Sequence, residues 1–178
     1  ISPDPAYEAD TLYCNPGETT DADGTEGFDY TYAWEVNSTD IGETAATLDG
    51  DSFDRGDDVV CTVTPNDGTD EGTAVSDSII IENSAPSISA VSITPYPAVA
   101  DDVLACEWTG FSDVDGEDDF STVAWTINGV SAGTSTTLAS GYGRGDVVTC
   151  TVTPYDGNDY GTAVSESATI ENTAPSID

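Results

Sequence analysis

An internal repeat of about 90 residues constrains the fold of this chain more than any other feature. Residues 55–88 and 144–177 are identical at 25 of 34 aligned positions. Residues 1–14 match residues 93–106 as well, and the offset between equivalent positions falls from 92 to 89 along the chain. Self-similarity at a fixed period is typical of tandem structural units. The sequence therefore predicts two equivalent domains.

The phase of the repeat predicts where these domains begin and end. We place one domain at residues 1–84 and the second at 85–174, while residues 175–178 begin a further repeat. A domain of this size can bury a working hydrophobic core. We expect the 178 residues to be part of a longer array, and the alternative is a two-domain chain with arbitrary ends.

Apolar residues alternate with polar ones in short rows. Val59, Cys61 and Val63 form one inward row, and clusters of Gly, Pro, Asp and Asn separate such rows every 8 to 15 residues. Alternation with period two predicts half-buried strands, and the intervening clusters predict turns. No helical periodicity of useful length is present. The pattern predicts an all-β chain with roughly seven short strands per repeat.

Each repeat carries two cysteines with a tryptophan between them: Cys14, Trp34 and Cys61, then Cys106, Trp125 and Cys150. The simplest pairing is one disulfide per repeat, joining the second strand to the penultimate one. Four reduced, buried thiols are the alternative. Disulfides would place the protein in an oxidising compartment, secreted or at the cell surface.

This layout resembles the immunoglobulin fold, in which a disulfide joins the two sheets and a tryptophan packs on it. Val59 and Val148 stand two residues before the second cysteines, so the tyrosine corner of that fold is absent. The resemblance implies two tandem Ig-like β-sandwich domains, each with one inter-sheet disulfide.

The charge is extreme, with 35 acidic residues against two arginines, no histidine and a formal net charge of −33. Two arginines cannot form the basic patch that nucleic acid requires, and an anionic membrane surface is disfavoured for the same reason. No segment is long and apolar enough to insert into a membrane. Such charge destabilises a compact state by self-repulsion unless cations bind.

Many of these carboxylates fall in the loops at the two poles of the expected sandwiches. Stacking two such domains end to end would crowd eight or more carboxylates at one junction, and Ca²⁺ accepts six to eight oxygen ligands. Candidate ligands at this junction are Glu8, Asp57, Glu82, Asn83, Asp113, Asp115, Asp118 and Asp156. Half-sites that neighbouring repeats would complete are Asp21, Asp23, Asp67, Asp146, Glu171 and Asn172. Solvated turns are the competing interpretation.

The set resembles the calcium junctions of cadherin repeats. Those junctions combine a glutamate after the first strand, an acidic E–F loop, an N-x-A-P linker, a D-x-D loop and an F–G aspartate. Glu8, Asp57, the segment 82–86, Asp113 with Asp115, and Asp156 occupy corresponding places. The D-x-D-G loop and the N-T-A-P linker also resemble tandem Ig-like and PKD-like repeats of large bacterial and archaeal surface proteins. The resemblance implies Ca²⁺ between neighbouring repeats.

Three smaller motifs carry less weight. Arg-Gly-Asp occurs at 55–57 and 144–146, which suggests integrin binding or, more simply, a turn. The glycosylation sequon at Asn37 is lost in the second repeat. Paired carboxylates can hydrolyse glycosides, but no carboxylate is unique to a cleft with aromatic residues, so we expect no enzyme.

Three functions fit the sequence. We favour a structural segment of an extracellular filament, stalk or surface array, rigidified by calcium and joined to neighbouring repeats or to identical chains. The second is the arm of a cell-surface adhesin. The third is a spacer within a secreted enzyme.

Overall fold

The computed structural model describes residues 1–22 and 27–175. The chain folds as two compact units, unit 1 at Ile1–Ser84 and unit 2 at Ala85–Asp178. No helix in the described ranges is long and apolar enough to cross a membrane.

Unit 1 contains seven strands among its described residues. They are β1 Ala6–Tyr7, β2 Leu12–Tyr13, β3 Asp29–Val36, β4 Thr39–Asp40, β5 Thr47–Leu48, β6 Asp58–Asn66 and β7 Val75–Glu82, with a 3₁₀ turn at Gly50–Ser52. One sheet has the order β1-β7-β6-β3-β4, and β2 pairs with β5 in the other. The first strand β1 runs parallel to β7, and the other pairs are antiparallel.

Unit 2 repeats this architecture, also with seven strands in its described part. They are β8 Ala90–Thr94, β9 Leu104–Thr109, β10 Thr122–Ile127, β11 Val130–Gly133, β12 Thr137–Leu138, β13 Val147–Thr153 and β14 Val164–Thr169. The sheets have the orders β11-β10-β13-β14 and β12-β9-β8. Two sheets in this order, bridged through the core, form an Ig-like sandwich. The predicted all-β fold class is confirmed.

The core of each unit forms around a disulfide between the two sheets. Cys14 is bonded to Cys61 with their Cα atoms 6.2 Å apart, and Cys106 is bonded to Cys150 at 6.1 Å. Both predicted disulfides are therefore present. Closing loops of this length stabilises each unit by about 3–4 kcal/mol.

The predicted tryptophans lie against these disulfides. Trp34 and Trp125 are 0% and 1% exposed and stand opposite Cys61 and Cys150 in the strand register. Each indole N–H donates to a backbone carbonyl, that of Ala45 at 2.9 Å in unit 1 and of Ser135 at 2.8 Å in unit 2. The large apolar ring is thus buried without leaving its polar group unsatisfied.

A buried tyrosine in unit 2 connects two loops, and the sequence analysis did not predict this contact. Tyr142, which precedes β13, donates its hydroxyl to the carbonyls of Asp102 and Leu138. It ties the loop before β13 to the loop between β8 and β9, much as a tyrosine corner does from another position. Phe53 occupies the equivalent place in unit 1.

Candidate metal centre

Three carboxylate side chains come close together in the loop between β9 and β10. Asp113, Asp115 and Glu117 each offer one carboxylate oxygen, and these three oxygens lie within 4.8 Å of one another. All three side chains are half-buried, whereas Val114 between them is 54% exposed. The loop bends at residues 114–115 and Gly116 has a φ of +80°, so the three carboxylates converge through a turn of the backbone.

The two carboxylate oxygens of Asp113 have different surroundings. Oδ1 accepts a hydrogen bond from the backbone N–H of Asp115 at 2.9 Å, which shapes the loop. Oδ2 is buried, and within residues 1–22 and 27–175 it meets no hydrogen-bond donor. A buried carboxylate oxygen without a hydrogen-bond donor is costly, and a bound cation would remove that cost.

The donor set fits calcium. Two oxygens on opposite sides of Ca²⁺ are separated by about twice the 2.3–2.6 Å calcium–oxygen distance, so three oxygens within 4.8 Å can share one ion. Carboxylate oxygens are hard ligands, and the chain has no histidine to favour a softer metal. Three carboxylates this close repel one another unless a cation compensates them.

A second acidic side chain lies in the loop after β13. Asp156 is 2% exposed, the one buried charged side chain in the described parts of the chain. Its Oδ1 accepts the backbone N–H groups of Asn158 and Asp159 at 2.5 and 2.7 Å, so it forms the turn. The N–H of Phe120 donates to the carbonyl of Tyr155 at 2.8 Å, which holds this turn beside the acidic loop.

The equivalent end of unit 1 is also acidic. Asp21, Asp67, Asp70 and Glu71 line a cleft of about 160 Å³. Hydrogen bonds from the backbone N–H groups of Asp70 and Thr69 lower the pKa of Asp67, although the like charge of Asp21 acts to raise it. The structure thus brings Asp21 and Asp67 together. Asp23 lies outside the described residues.

The opposite end of unit 1 brings together two other predicted ligands through an arginine. The backbone N–H of Arg55 donates to Glu8 at 3.4 Å, and its guanidinium donates to the amide oxygen of Asn83 at 2.8 Å. Glu82, exposed at the end of β7, pairs with Tyr7 in the strand register. Arg55 therefore connects the loop that carries Glu8 with the segment that carries Asn83.

Asp57 and Asp146 serve the same turn in the two units. Asp57 accepts from the N–H of Asp54 at 2.8 Å and from the side chain of Asn37 at 2.6 Å. Asp146 accepts from Gly143 and Asn128, both at 2.8 Å. The hydrogen bond from Asn128, followed by that from Gly143, lowers the pKa of Asp146.

This turn also explains why Arg-Gly-Asp occurs in both repeats. Gly56 and Gly145 have φ values of +86° and +89°, a region that favours glycine. The aspartate that follows each glycine binds the neighbouring hairpin as described above. A turn requirement accounts for the glycine and the aspartate of the tripeptide without an integrin.

The remaining predicted ligands do not join a cluster in the described structure. Asp118 is exposed beside the triad. Glu171 and Asn172 are exposed, and the Asn172 amide donates to the Thr173 carbonyl at 3.0 Å. Glu117, which the predicted ligand set omitted, completes the triad instead. The regular spacing of Asp113, Asp115 and Glu117, two residues apart, is the sequence signal that could have identified Glu117.

No protein-family model and no curated protein matches the chain. Two similar solved structures are a two fibronectin type III domain segment from chicken tenascin and the FN1–FN3 domains of chicken CNTN1. Each is 12% identical to this chain, with TM-scores of 0.45 and 0.36. The first alignment covers 81% of this chain and 86% of the tenascin segment, and the second covers 82% and 54%. The resemblance to cadherin-like and PKD-like repeats stays a prediction. The strand order and the disulfides of the chain itself identify it as two tandem Ig-like domains.

Proposed function

We propose that this chain is a structural segment of an extracellular array of tandem Ig-like repeats, stiffened by calcium at the junctions between repeats. The disulfide in each unit supports an oxidising, extracellular setting, because such bonds do not persist in reducing compartments.

The observation that carries the proposal is the carboxylate triad of Asp113, Asp115 and Glu117. Its three oxygens lie within the spacing of calcium ligands, and the buried Oδ2 of Asp113 has no donor among the described residues. Solvated turns do not require converging carboxylates or a buried oxygen that lacks a donor. Calcium satisfies both features at once.

The net charge supports the same conclusion. A chain with a formal charge of −33 stores self-repulsion that cation binding relieves. The last strand of unit 1 ends at Glu82 and unit 2 begins at Ala85, so the sequence provides almost no linker between them. Calcium at such a short connection would restrict bending and convert a flexible string of domains into a rod.

Isothermal calorimetry tests the site directly. The whole chain, freed of metal, is titrated with CaCl₂ at constant ionic strength. We expect saturable binding to the wild type and a loss of at least one site in the double variant Asp113→Asn/Glu117→Gln. Because ligand binding stabilises only the folded state, calcium at about 100 times its Kd should add roughly 2.7 kcal/mol to the stability of unit 2.

The single variant Asp113→Asn, which removes one charge from the triad, is matched by the control Asp118→Asn, which removes one charge from an exposed neighbour. It should leave the stoichiometry unchanged. Equal loss of heat in both variants would show that calcium responds only to net charge, and no binding at millimolar calcium would refute the proposal.

A further inference from the structure

The hairpin after β13 in unit 2 carries two stacked tyrosines. The ring centroids of Tyr155 and Tyr160 are 4.3 Å apart, and the two ring planes are inclined by 18°. The hydroxyl of Tyr155 donates to the carbonyl of Gly157 at 2.8 Å, which holds this ring against the hairpin. Tyr160 is 61% exposed, so the ring face that Tyr155 does not cover is open to solvent.

A third aromatic side chain extends this surface. Phe120 is 57% exposed, and its backbone N–H donates to the carbonyl of Tyr155 at 2.8 Å. A Cβ added to Gly157 would be 3.7 Å from two ring atoms of Phe120, so the ring lies over the hairpin backbone. We call Phe120, Tyr155 and Tyr160 the aromatic platform. Single exposed apolar side chains are ordinary on a protein surface, whereas a contiguous group of them is typical of an interaction surface.

Unit 1 forms the same hairpin without the stacked tyrosines. Asn66 and Glu71 make the backbone bridge that Tyr155 and Tyr160 make in unit 2. The hydrogen bond that closes the hairpin is 2.8 Å long in unit 1 and 2.9 Å in unit 2. The turn therefore does not require aromatic side chains at these two positions, and the stacked pair needs another explanation.

Carboxylates border the aromatic platform in the sequence. Asp118 and Asp119 directly precede Phe120, and both are exposed. Asp159 directly precedes Tyr160 and is exposed as well. The rings therefore lie in a part of the surface that also presents negative charge.

Asp119 is held in place by two donors. The indole N–H of Trp108 and the backbone N–H of Ser121 each donate to its carboxylate at 2.8 Å. Hydrogen bonds from N–H groups favour the ionised form of a carboxylate. The charge next to Phe120 is thus fixed in position rather than carried by a freely rotating side chain.

The charge of the chain selects the kind of partner that this surface fits. A formal net charge of −33 attracts cationic partners and repels anionic ones. An arginine guanidinium is planar, stacks on aromatic faces, and at the same time donates to carboxylates. A neutral saccharide can also stack on a tyrosine, but it gains nothing from the net charge.

We propose that the aromatic platform binds a basic, arginine-bearing segment of a partner protein, with a guanidinium stacked on the open face of Tyr160. Aromatic side chains at the centre of a surface and charged groups at its rim are the usual layout of a protein interface. The chain itself has only two basic side chains. Arg55 donates to Asn83, and Arg144 precedes β13 whereas Tyr155 follows it. The cation therefore comes from another molecule.

The proposal adds a partner to the array proposed above, and it does not depend on calcium. The carboxylate triad lies in the loop that leads to Phe120, so a bound calcium ion would lower the negative charge near the platform. Every titration is therefore run in EDTA and repeated in calcium, so that either proposal can fail alone.

The first experiment compares two fluorescently labelled peptides of equal charge, one with four Arg-Gly repeats and one with four Lys-Gly repeats. Fluorescence anisotropy in 0.15 M NaCl should show saturable binding of the arginine peptide to the whole chain. We expect it to bind at least threefold more tightly than the lysine peptide, because both gain from the net charge but the guanidinium stacks better. Equal affinities, or no binding at millimolar concentration, would overturn the proposal.

Tyr160→Leu tests the ring, since it keeps an apolar side chain and leaves the net charge unchanged. It should weaken binding of the arginine peptide at least fivefold and remove the preference over the lysine peptide. The matched control is Tyr13→Leu, at a tyrosine of β2 in unit 1 that is 49% exposed. The control should leave both affinities unchanged, and an equal loss in the two variants would overturn the assignment to the platform.

Nuclear magnetic resonance locates the contact, with unit 1 as an internal reference. The arginine peptide should shift the backbone amide signals of residues 118–121 and 155–161 and leave those of the equivalent hairpin, residues 66–72, in place. Shifts of equal size in both hairpins would show attraction by net charge alone and would overturn the proposal.

A parallel titration with maltohexaose, a neutral oligosaccharide, tests the competing ligand class. We expect no binding. Saturable saccharide binding that Tyr160→Leu removes, while binding of the arginine peptide is unaffected by that substitution, would overturn the basic partner in favour of a glycan.

Discussion

Units 1 and 2 each contain one disulfide, one buried tryptophan and the same Arg-Gly-Asp turn. The two units nevertheless differ in how deeply equivalent core valines are buried. In unit 2 Ile88 and Val91 belong to the same core cluster as Val152, whereas in unit 1 the equivalent Val63 lines a groove. The comparison teaches that two rows of residues with the same alternation can be buried to different depths.

The loops at the ends of the sandwiches differ as well. In unit 2 the carboxylates of Asp113, Asp115 and Glu117 lie close together. The sequence of unit 1 has threonine at the position of Glu117. In its place, Asp21 and Asp67 share a cleft in unit 1. Equivalent loops in the two units therefore arrange their carboxylates differently.

The largest expected effect comes from the feature that the two units share. Replacing Cys106 and Cys150 by serine should destabilise unit 2 by about 3–4 kcal/mol, because the unfolded chain regains the entropy of a closed loop. The loops span 47 residues in unit 1 and 44 in unit 2, so the Cys14/Cys61 double variant should have nearly the same cost. Guanidinium unfolding monitored by tryptophan fluorescence measures both. Costs that differ by more than about 2 kcal/mol would contradict the common role of the disulfides.

Truncating equivalent valines should sharpen the contrast between the closed and the open core. Val152→Ala removes buried methyl groups and leaves a cavity, so it should cost about 2–3 kcal/mol. Val63→Ala removes methyl groups that line the groove, and it should cost about 1 kcal/mol or less. Denaturant midpoints of the two variants provide the test. Equal losses would show that Val63 is as well covered as Val152.

The smallest effect concerns the tyrosine that unit 1 replaces with Phe53. Tyr142→Phe should cost about 1 kcal/mol, because it removes the hydrogen bond to the carbonyl of Asp102. Tyr96→Phe, at a tyrosine that is 79% exposed, is the control and should be nearly neutral. A cost for Tyr142→Phe no greater than the control would disprove the structural role of its hydroxyl.

The ionisation of Tyr142 offers a second measurement of the same contact. Burial, reinforced by the charge of Asp102, raises the pKa of Tyr142 above its ordinary value of 10.0. Because this pKa is raised in the folded state, the neutral phenol stabilises unit 2 fully below the unfolded pKa. This contribution is lost as pH rises through the folded pKa. Ultraviolet titration should therefore show one phenol that ionises late, with unit 2 weakening in the same alkaline range.

Much of the fold followed from the sequence because it depends on local pattern. Period-two rows predicted the strands around Cys61 and Cys150, and the cysteine–tryptophan order predicted the disulfides and the core. The incomplete burial of Val63 did not follow, because its row reads like that of Val152. In unit 2 the core cluster of Val152 includes Ile88 and Val91, which are distant in the sequence from β13.

The candidate site was harder to predict because carboxylates at similar loop positions do different work. Asp57 and Asp146 each accept one hydrogen bond within their turn and one from an asparagine of the neighbouring hairpin, Asn37 or Asn128. Sequence alone does not distinguish such an aspartate from one that faces a cation. Side-chain direction decides it, and direction follows from hydrogen bonds that form only in the folded loop.

Small-angle X-ray scattering of the whole chain, with calcium and after EDTA, tests the central claim most directly. We predict that calcium narrows the range of interdomain arrangements and gives the scattering of an extended, stiff particle, and that EDTA reverses the change. The Asp113→Asn/Glu117→Gln variant should respond more weakly than Asp118→Asn. A profile that is identical with and without calcium, under conditions where calorimetry shows the ion bound, would contradict calcium stiffening.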